Sequence, residues 1–368
     1  MRSVSKEVQP KNSSLRRIGR VVAVGLGAVA ALATALGGYF QCTEFAPPDS
    51  LPLSPIGRAK SGTPRELTLL TWNIGYAGLD RETDFFMDGG QMSGPRSRHA
   101  VEQNLEAIRT ELLRNRPDVL LLQEVDRASA RTFDIDQVAA LQGALPDHQG
   151  WYGVNFQSPF VPSPPSSPIG RVDAGVLTLL GFTARASTRE QLPGSHPWPV
   201  RVFHLKRCAV FSHVPSANEG KDWVLVNLHL SAFDDGSLRK QQSDFLRRRM
   251  LELYEKGHYV VLGGDWNMVL PGVAREAFGP WTTTQENLSW LKSLPEGWTP
   301  EGWTWARDVS VPSVRTNDQP YREGQNHTTV IDGFLLSPNV ELREVRGLDL
   351  GFAHSDHQPV IARVGVRD

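Results

Sequence analysis

Residues 259–267 read YVVLGGDWN, an apolar run that ends in two glycines, an aspartate, a tryptophan and an asparagine. A short apolar run followed by turn-forming residues is typical of a buried β-strand. Solvent-exposed loops do not need such an ending, because burying a carboxylate costs free energy unless a cation or a histidine compensates for it. The stretch therefore predicts a strand that places Asp265 and Asn267 at a functional site.

Five further apolar runs end in, or are followed by, residues that bind cations or transfer protons. These residues are Asn73, Gln123, Glu124, His229, Asp332 and the triplet Ser355-Asp356-His357. A carboxylate with amide and aspartate oxygens nearby is the environment that Mg²⁺ or Mn²⁺ prefers, whereas the sequence lacks the His-x-His or paired-cysteine spacing of zinc sites. Histidines at two of these positions can take part in acid–base chemistry. The pattern predicts a cation site assisted by histidine.

Apolar runs with strand character outnumber helical segments, and the helices fall between pairs of strands. The predicted strands are Leu67–Trp72, Val119–Leu122, Ala174–Leu180, Ala209–Ser212, Trp223–Leu228, Tyr259–Leu262, Thr329–Leu336, Leu342–Val345 and Pro359–Val364, and the predicted helices are Arg96–Asn115 and Ser237–Lys256. Ser237 and Gly257 are the predicted N-cap and stop of the second helix. This order predicts an α+β fold, a four-layer α/β/β/α sandwich of two packed, mainly antiparallel sheets preceded by one N-terminal hydrophobic helix.

The composition is that of a globular protein, with 40% hydrophobic and 21% charged residues in 368. Two cysteines exclude a disulfide scaffold and any cysteine-rich zinc module. If the chain is exported, Cys42 and Cys208 could pair, but the position of Cys42 beside a flexible stalk favours two free thiols.

The N-terminus carries a targeting segment. Residues 1–20 are basic, and residues 21–40 are free of charge over a length of about 30 Å as a helix, which matches the core of a bilayer. The basic flank favours a cytoplasmic N-terminus and export of the remainder. The segment is an uncleaved anchor, a signal cleaved near Ala33-Thr34-Ala35, or a lipoprotein signal ending at Cys42. We expect a single-pass protein of the cell membrane with its folded domain outside the cytoplasm, or alternatively a secreted protein.

Residues 41–64 contain five prolines and predict an extended linker, which leaves residues 65–368 as the folded domain. Residues 1–42 hold six basic residues and one acidic residue, so the rest of the chain has 33 basic and 39 acidic residues and a net charge of −6. An acidic domain gains no bulk attraction for polyanions, which disfavours avid non-specific binding of nucleic acid.

The strand-end residues form six motifs that, in this order, resemble those of the endonuclease/exonuclease/phosphatase superfamily. The motifs are Thr71-Trp72-Asn73, Gln123-Glu124, Asn227-Leu228-His229-Leu230, Gly264-Asp265-Trp266-Asn267, Ile331-Asp332-Gly333 and Ser355-Asp356-His357-Gln358-Pro359-Val360. That superfamily includes deoxyribonucleases, apurinic endonucleases, sphingomyelinases and inositol-polyphosphate 5-phosphatases. The resemblance covers about residues 66–366 and implies the sandwich fold, hydrolysis of phosphoesters and a Mg²⁺ or Mn²⁺ cofactor.

The resemblance also implies roles for the motif residues. Glu124 is expected to be the chief metal ligand, with Asn73 helping to hold the metal or the phosphate. Asp356 is expected to be a further ligand or to support one. Asp265 would orient the attacking water, and Asn267 would bind a phosphate oxygen.

The two histidines are expected to act on the phosphate itself. His357 would be the general base or the residue that holds the scissile phosphate, with Asp332 accepting a hydrogen bond from its other ring nitrogen. His229 would stabilise the phosphorane or protonate the leaving oxygen. A phosphodiester is anionic and repels hydroxide, so a cation must neutralise charge in the transition state and an oriented base must activate water.

Substrate preference depends on features outside these motifs. Arg131, Arg171 and Arg315 are candidates for holding phosphates, and the alternative for each is a surface salt bridge. Residues 84–90 read DFFMDGG, an aromatic loop that either folds back on the core or walls the cleft. The run of arginines at 247–249 falls on a helix and indicates a solvated face more than a nucleic-acid patch.

The sequence therefore predicts a divalent-metal-dependent phosphoester hydrolase that works by in-line attack of water, as a monomer held to the membrane through residues 21–40. Its substrate would be a nucleic acid, a phospholipid headgroup or a small soluble phosphoester. The alternatives are an extracytoplasmic nuclease, a hydrolase of the sphingomyelinase, phospholipase C or inositol-phosphate type, and a non-catalytic binding module. The last is disfavoured because every matched position keeps a chemically competent residue.

Overall fold

The computed structural model describes residues 12–274, 276–284 and 288–367, with side chains from residue 16 onwards. The chain divides into two units, Met1–Glu44 and Phe45–Asp368. The first unit contains helix α1, Asn12–Cys42. Its part Arg16–Cys42 is long and apolar enough to cross a membrane, a property that signal sequences near an N-terminus share. Cys42 and Cys208 are both free thiols.

The second unit is built from α-helices and many strands. The helices are α2 (Arg98–Asn115), α3 (Gln137–Ala144) and α4 (Ser237–Glu255). The strands are β1 (Ser50–Pro52), β2 (Ile56–Gly57), β3 (Glu66–Asn73), β4 (Val119–Asp126), β5 (Gln149–Val161), β6 (Gly170–Leu180), β7 (Ala186–Gln191), β8 (Cys208–Pro215), β9 (Asp222–His229), β10 (Tyr259–Asp265), β11 (Met268–Val269), β12 (Lys292–Ser293), β13 (Thr304–Ala306), β14 (Val314–Arg315), β15 (Thr328–Thr329), β16 (Asp332–Leu336), β17 (Val340–Gly347) and β18 (Val360–Val366).

Two seven-stranded sheets form the framework of this unit. The first sheet has the order β1-β7-β8-β9-β10-β16-β13, and the second has the order β17-β18-β3-β4-β6-β5-β2. Each contains one parallel pair, β9 with β10 and β3 with β4, and the other neighbours within the two sheets are antiparallel. The predicted sandwich of mainly antiparallel sheets is confirmed.

Apolar side chains alternate between the two faces of the central strands. On β3, Leu67 and Leu69 belong to the core between the sheets, whereas Leu70 and Trp72 belong to the outer core that also contains apolar residues of α2 and α3. The outer core of the first sheet contains residues of α4. Strands buried on both faces read as nearly continuous apolar runs, which is why the sequence revealed them.

Helix α4 begins at Ser237, but its N-terminus is capped differently from the prediction. Gly236, with a φ of 99°, occupies the cap position. The carboxylates of Asp235 and Asp234 accept hydrogen bonds from the first two backbone N–H groups of the helix. The prediction of Ser237 as the N-cap is wrong because these two carboxylates take the place of its hydroxyl. Gly257, with a φ of 83°, follows the helix as predicted.

Helix α3 and strand β5 were not predicted. The register of β5 against β6 shifts between Val154 and Phe156 and again between Ser158 and Val161. Such bulges add residues to one strand and break the alternation on which sequence analysis depends.

Residues 45–64 belong to the folded unit and do not form the free spacer that the sequence predicted. Strand β1 pairs with β7 and β2 pairs with β5, so this stretch covers one edge of each sheet. The indole Nε1 of Trp223 donates to the carbonyl of Pro64 at 2.8 Å, and the backbone N–H of Gln191 donates to that of Asp49 at 2.7 Å. Prolines are compatible with edge strands because an outward-facing N–H is not needed there.

We expect that a chain starting at Arg65 is less stable than one starting at Phe45. The shorter chain loses both edge strands and the hydrogen bonds to Asp49 and Pro64, each worth about 1 kcal/mol net. Its free energy of unfolding, measured by urea titration with circular dichroism, should fall by roughly 2 kcal/mol or more. Equal unfolding midpoints with equal slopes would contradict a structural role for residues 45–64.

Candidate active site

The ends of the central strands bring the predicted residues to one place. Asp265 at the end of β10 is paired in register with His229 of β9 and with Asp332 of β16. In the other sheet, Asn73 of β3 is paired with Gln123 of β4. The amide Nδ2 of Asn73 donates to the Oδ2 atom of Asp265 at 3.0 Å, so side chains from the two sheets meet directly.

Asp265 lies at the centre of the site and is only 1% exposed. Its Oδ1 accepts a hydrogen bond from the backbone N–H of Asn267 at 2.9 Å. Its Oδ2 lies 3.3 Å from Nε2 of His229 and 3.8 Å from Nε2 of His357. Burial raises the pKa of Asp265 to about 7, since the positive charge of His357 only partly opposes it and the charge of Asp332 adds to it.

His357 is held in place by Asp332, whose Oδ2 lies 2.9 Å from the ring Nδ1. The same oxygen accepts a hydrogen bond from the hydroxyl of Ser313 at 2.7 Å, and that hydroxyl accepts the backbone N–H groups of Ile331 and Asp332. Burial alone would lower the pKa of His357, but the charges of Asp332 and Asp265 raise it to about 10. The ring is therefore protonated at neutral pH.

His229 has the opposite charge state. Burial lowers its pKa well below the ordinary value, and the positive charges of Arg207 and His357 lower it further. Its ring is 2% exposed and its Nε2 also lies 3.9 Å from Oε1 of Glu124. A neutral imidazole in this position can donate one hydrogen bond but carries no positive charge.

Glu124 and Asn267 sit in strained backbone. Their φ angles are 51° and 49°, in the left-handed region that residues other than glycine seldom adopt. At Glu124 the register of β4 against β6 shifts between Leu122 and Val125, so the residue lies in a bulge. Bulges redirect a side chain from the regular alternation of a strand, and strained backbone of this kind costs of order 1–3 kcal/mol.

Asp356 is buried and both of its oxygens accept hydrogen bonds. Asn317 donates its Nδ2 to Oδ2 at 2.7 Å, and the hydroxyl of Ser355 lies 3.3 Å from Oδ1. Burial raises the pKa of Glu124, and the negative charge of Asp356 is the next contribution. The two carboxylates therefore repel each other across the site.

Two groups of residues could hold a divalent cation. Asp265, Asp332 and His357 each offer a ligand atom within 4.8 Å of the others. In this group Nδ1 of His357 and Oδ2 of Asp332 are already hydrogen-bonded to each other at 2.9 Å, so it fits a cation less well. Glu124 and Asp356 fit better, because a cation would relieve their repulsion and carboxylate oxygens are the ligands that Mg²⁺ and Mn²⁺ prefer.

The three arginines predicted to hold phosphates differ in position. Arg131 and Arg315 line the cavity that contains the site, and Arg171 does not. Arg131 makes two hydrogen bonds to the carboxylate of Asp126, and Arg315 donates to backbone carbonyls, including that of Asp80 at 2.7 Å. Arg171 donates to the carboxylate of Asp134 and is about half exposed, which is the surface salt bridge that was the alternative.

Two charged residues that line the cavity, besides its uncharged ones, were not found from the sequence. One is Arg207, whose buried NH1 atom has no hydrogen-bond partner. Burial lowers its pKa, while the negative charges of Glu124 and Asp265 oppose this effect. The other is Asp88, whose pKa is raised by burial to about 7. A basic residue before a strand and an acid in a loop are common on surfaces, so the sequence offered no signal for either.

The chain matches the model of the Endonuclease/Exonuclease/phosphatase family over residues 70–357. No curated protein matches its sequence significantly. Among solved structures, an endonuclease/exonuclease/phosphatase from Beutenbergia cavernae DSM 12333 is 19% identical, covers 82% of this chain and 72% of its own, and superposes with a TM-score of 0.53. At 19% identity this similarity shows a shared fold and nothing more.

Two eukaryotic structures share the fold. The human Nocturnin catalytic domain with a bound sulfate is 15% identical, with 85% of this chain and 97% of that chain covered and a TM-score of 0.50. TDP2 of D. rerio, in a complex with a single-strand DNA product, is 14% identical, with 82% and 100% covered and a TM-score of 0.50.

Proposed function

The chain belongs to the endonuclease/exonuclease/phosphatase family, and from this premise we propose that it is a divalent-metal-dependent hydrolase of phosphoesters. Members of the family hydrolyse phosphoester bonds. The observation that carries the proposal for this chain is the meeting of Asp265, Asp332 and His357 with Asn73 from the other sheet. A histidine and a carboxylate with shifted pKa values that lie side by side in a cavity are typical of catalytic sites.

In this proposal Glu124 and Asp356 hold the cation, and the side chain of Asn73 positions Glu124. The Nδ2 atom of Asn73 donates to Oε1 of Glu124 at 3.3 Å and to Oδ2 of Asp265 at 3.0 Å. A bound Mg²⁺ or Mn²⁺ would neutralise the charge that develops on phosphorus oxygens and polarise the leaving oxygen.

Asp265 then orients the water that attacks phosphorus in line. Its pKa near 7 places it where a carboxylate can accept a proton from water at neutral pH. Asn267 is proposed to contact a phosphate oxygen. Its Nδ2 donates one N–H to the carbonyl of Leu230 at 2.9 Å, and an amide nitrogen has a second N–H to donate.

The charge states distinguish the roles of the two histidines. Protonated His357, fixed by Asp332, suits the holding of an anionic phosphate better than it suits a general base. Neutral His229 suits a hydrogen bond to a phosphorane oxygen better than protonation of the leaving group. Arg207, with an unpartnered buried NH1, is proposed to add a second positive charge for the phosphate.

We further propose that the chain is held at the cell membrane by α1 with the second unit outside the cytoplasm. The helix is long and apolar enough to span, and basic residues precede it. After alkaline carbonate extraction, the full-length protein should stay in the membrane pellet, with its C-terminus open to protease in intact spheroplasts. A soluble product with a new N-terminus near Ala35 would identify a cleaved signal instead.

Replacing Glu124 tests the metal assignment. Glu124→Gln should keep the fold and lose at least 100-fold of the turnover of bis-p-nitrophenyl phosphate, because the neutral amide is a weaker ligand for Mg²⁺. Calorimetry should also show much weaker Mg²⁺ binding. Glu102→Gln, on the exposed face of α2, is the matched control and should change neither quantity. Wild-type metal affinity in Glu124→Gln would overturn the assignment.

Asp332 and His357 are expected to act as one unit. Asp332→Asn should lower the pKa of His357 from about 10, since it removes the first of the charges that raise it. Asp332→Asn, His357→Ala and the double variant should each lose about 10²–10⁴-fold in turnover, with the double loss close to the larger single loss. Nuclear magnetic resonance titration of the ring and steady-state kinetics provide the two readouts. Fully additive losses with an unchanged pKa would show that the residues work independently.

A further inference from the structure

The cavity that contains the active site has mostly apolar walls. It measures about 490 Å³ and includes Asp265 and His357 among its lining residues. The same cavity is lined by large apolar side chains from separate parts of the chain, among them Phe86, Met87, Phe156, Phe203, Phe233 and Trp290. Hydrolysis of a small hydrophilic phosphoester does not need such walls.

The apolar side chains of the cavity walls pack against one another. The rings of Phe85 and Phe86, in the aromatic loop 84–90, lie 4.9 Å apart in an edge-to-face arrangement. The rings of Phe233 and Trp290 lie 5.5 Å apart on another side of the cavity. Phe156 belongs to a small buried cluster of β5 and β6. The aromatic loop therefore walls the cleft, the second of the two alternatives that its sequence left open.

The apolar surface continues out of the cavity. Among the described residues of Phe45–Asp368, Trp198 is the most exposed large apolar side chain, at 59%. Met87, Val200 and Phe233, the rim residues, are also exposed and, unlike Trp198, they line the cavity. A cluster of exposed apolar residues beside a cavity marks a surface that meets an apolar partner.

The charges of the cavity suit one phosphate but not a chain of phosphates. In the described part of the chain its lining includes three arginines and no lysine. Arg131 is neutralised by Asp126, and Arg315 donates to backbone carbonyls through its terminal nitrogens, so among the described lining residues the buried arginine atoms without a hydrogen-bond partner are Nε of Arg315 and NH1 of Arg207. A nucleic-acid groove needs several cations along the backbone.

We propose that the substrate is a membrane phospholipid, a phosphodiester whose hydrocarbon chains lie against the apolar walls while the rim residues enter the lipid surface. The inference rests on the proposed function and specifies its substrate. Water adds to phosphorus, the bond from phosphorus to one alcohol oxygen breaks, and that alcohol leaves with the proton. Because α1 is long enough to reach into a bilayer, tethering would raise the effective concentration of such a substrate.

The test compares lipid with a soluble ester in the full chain. Detergent-solubilised protein with Mg²⁺ or Mn²⁺ is assayed on mixed micelles of phosphatidylcholine, phosphatidylglycerol and sphingomyelin, on bis-p-nitrophenyl phosphate and on plasmid DNA. Val200→Ser and Met87→Ser should each lower the ratio of lipid to soluble-ester turnover at least tenfold. Val309→Ser replaces an exposed apolar residue outside the cavity and is the control, with an unchanged ratio.

The outcomes separate this inference from the function on which it rests. Turnover of at least one lipid, with a ratio that falls in both rim variants and not in the control, supports it. Turnover of the soluble ester without any lipid turnover, or equal losses on lipid and ester, overturns it and leaves the hydrolase assignment standing. Efficient cleavage of DNA without lipid turnover would replace it with the nuclease alternative. No turnover of any of these substrates, with circular dichroism showing a folded protein, would remove the proposed function itself.

Discussion

A buried polar contact between the two sheets sets the alignment of their central strands. The Nε2 atom of Gln123 in β4 donates to Oδ1 of Asn227 in β9 at 2.8 Å, and Asn227 in turn donates to the carbonyls of Leu122 and Leu177. Apolar packing between sheets tolerates sliding, whereas a buried amide without its partner costs about 1–3 kcal/mol. This pair therefore fixes which strand ends face each other, and the active-site contacts require that alignment.

The close approach of the parallel strands makes the same demand on the backbone. Gly264 has a φ of 150°, and a Cβ added there would lie 1.9 Å from the carbonyl oxygen of Leu228. A larger residue would push β10 away from β9 and separate Asp265 from His229, which lie opposite each other. Gly264, which lies within β10 and not in a turn, thus serves the position of the carboxylate.

Much of the site could be predicted because several of its residues, such as Asn73, His229 and Asp265, stand at the end of a recognisable strand. Strands buried on both faces produce apolar runs, and the residue at which such a run ends is visible in the sequence. Ser313, Asn317 and Arg207 could not be found this way, since they reach the site from loops or from the residue before a strand. The prediction that residues 41–64 form an extended linker was wrong over residues 45–64, because prolines occur in edge strands as well as in linkers.

The site combines strained backbone with unfavourable electrostatics. Glu124 and Asn267 are held with positive φ, and Asp265 and Asp88 have raised pKa values because they are buried near other acids. Each feature lowers the stability of the free protein, and a cation together with an anionic phosphate would relieve the electrostatic part of that cost. The apolar core formed by the faces of both sheets supplies the stability that keeps these groups in place. The position of the acids at the strand ends, beyond that core, is thus what allows one fold to carry both a dry interior and a concentrated negative charge.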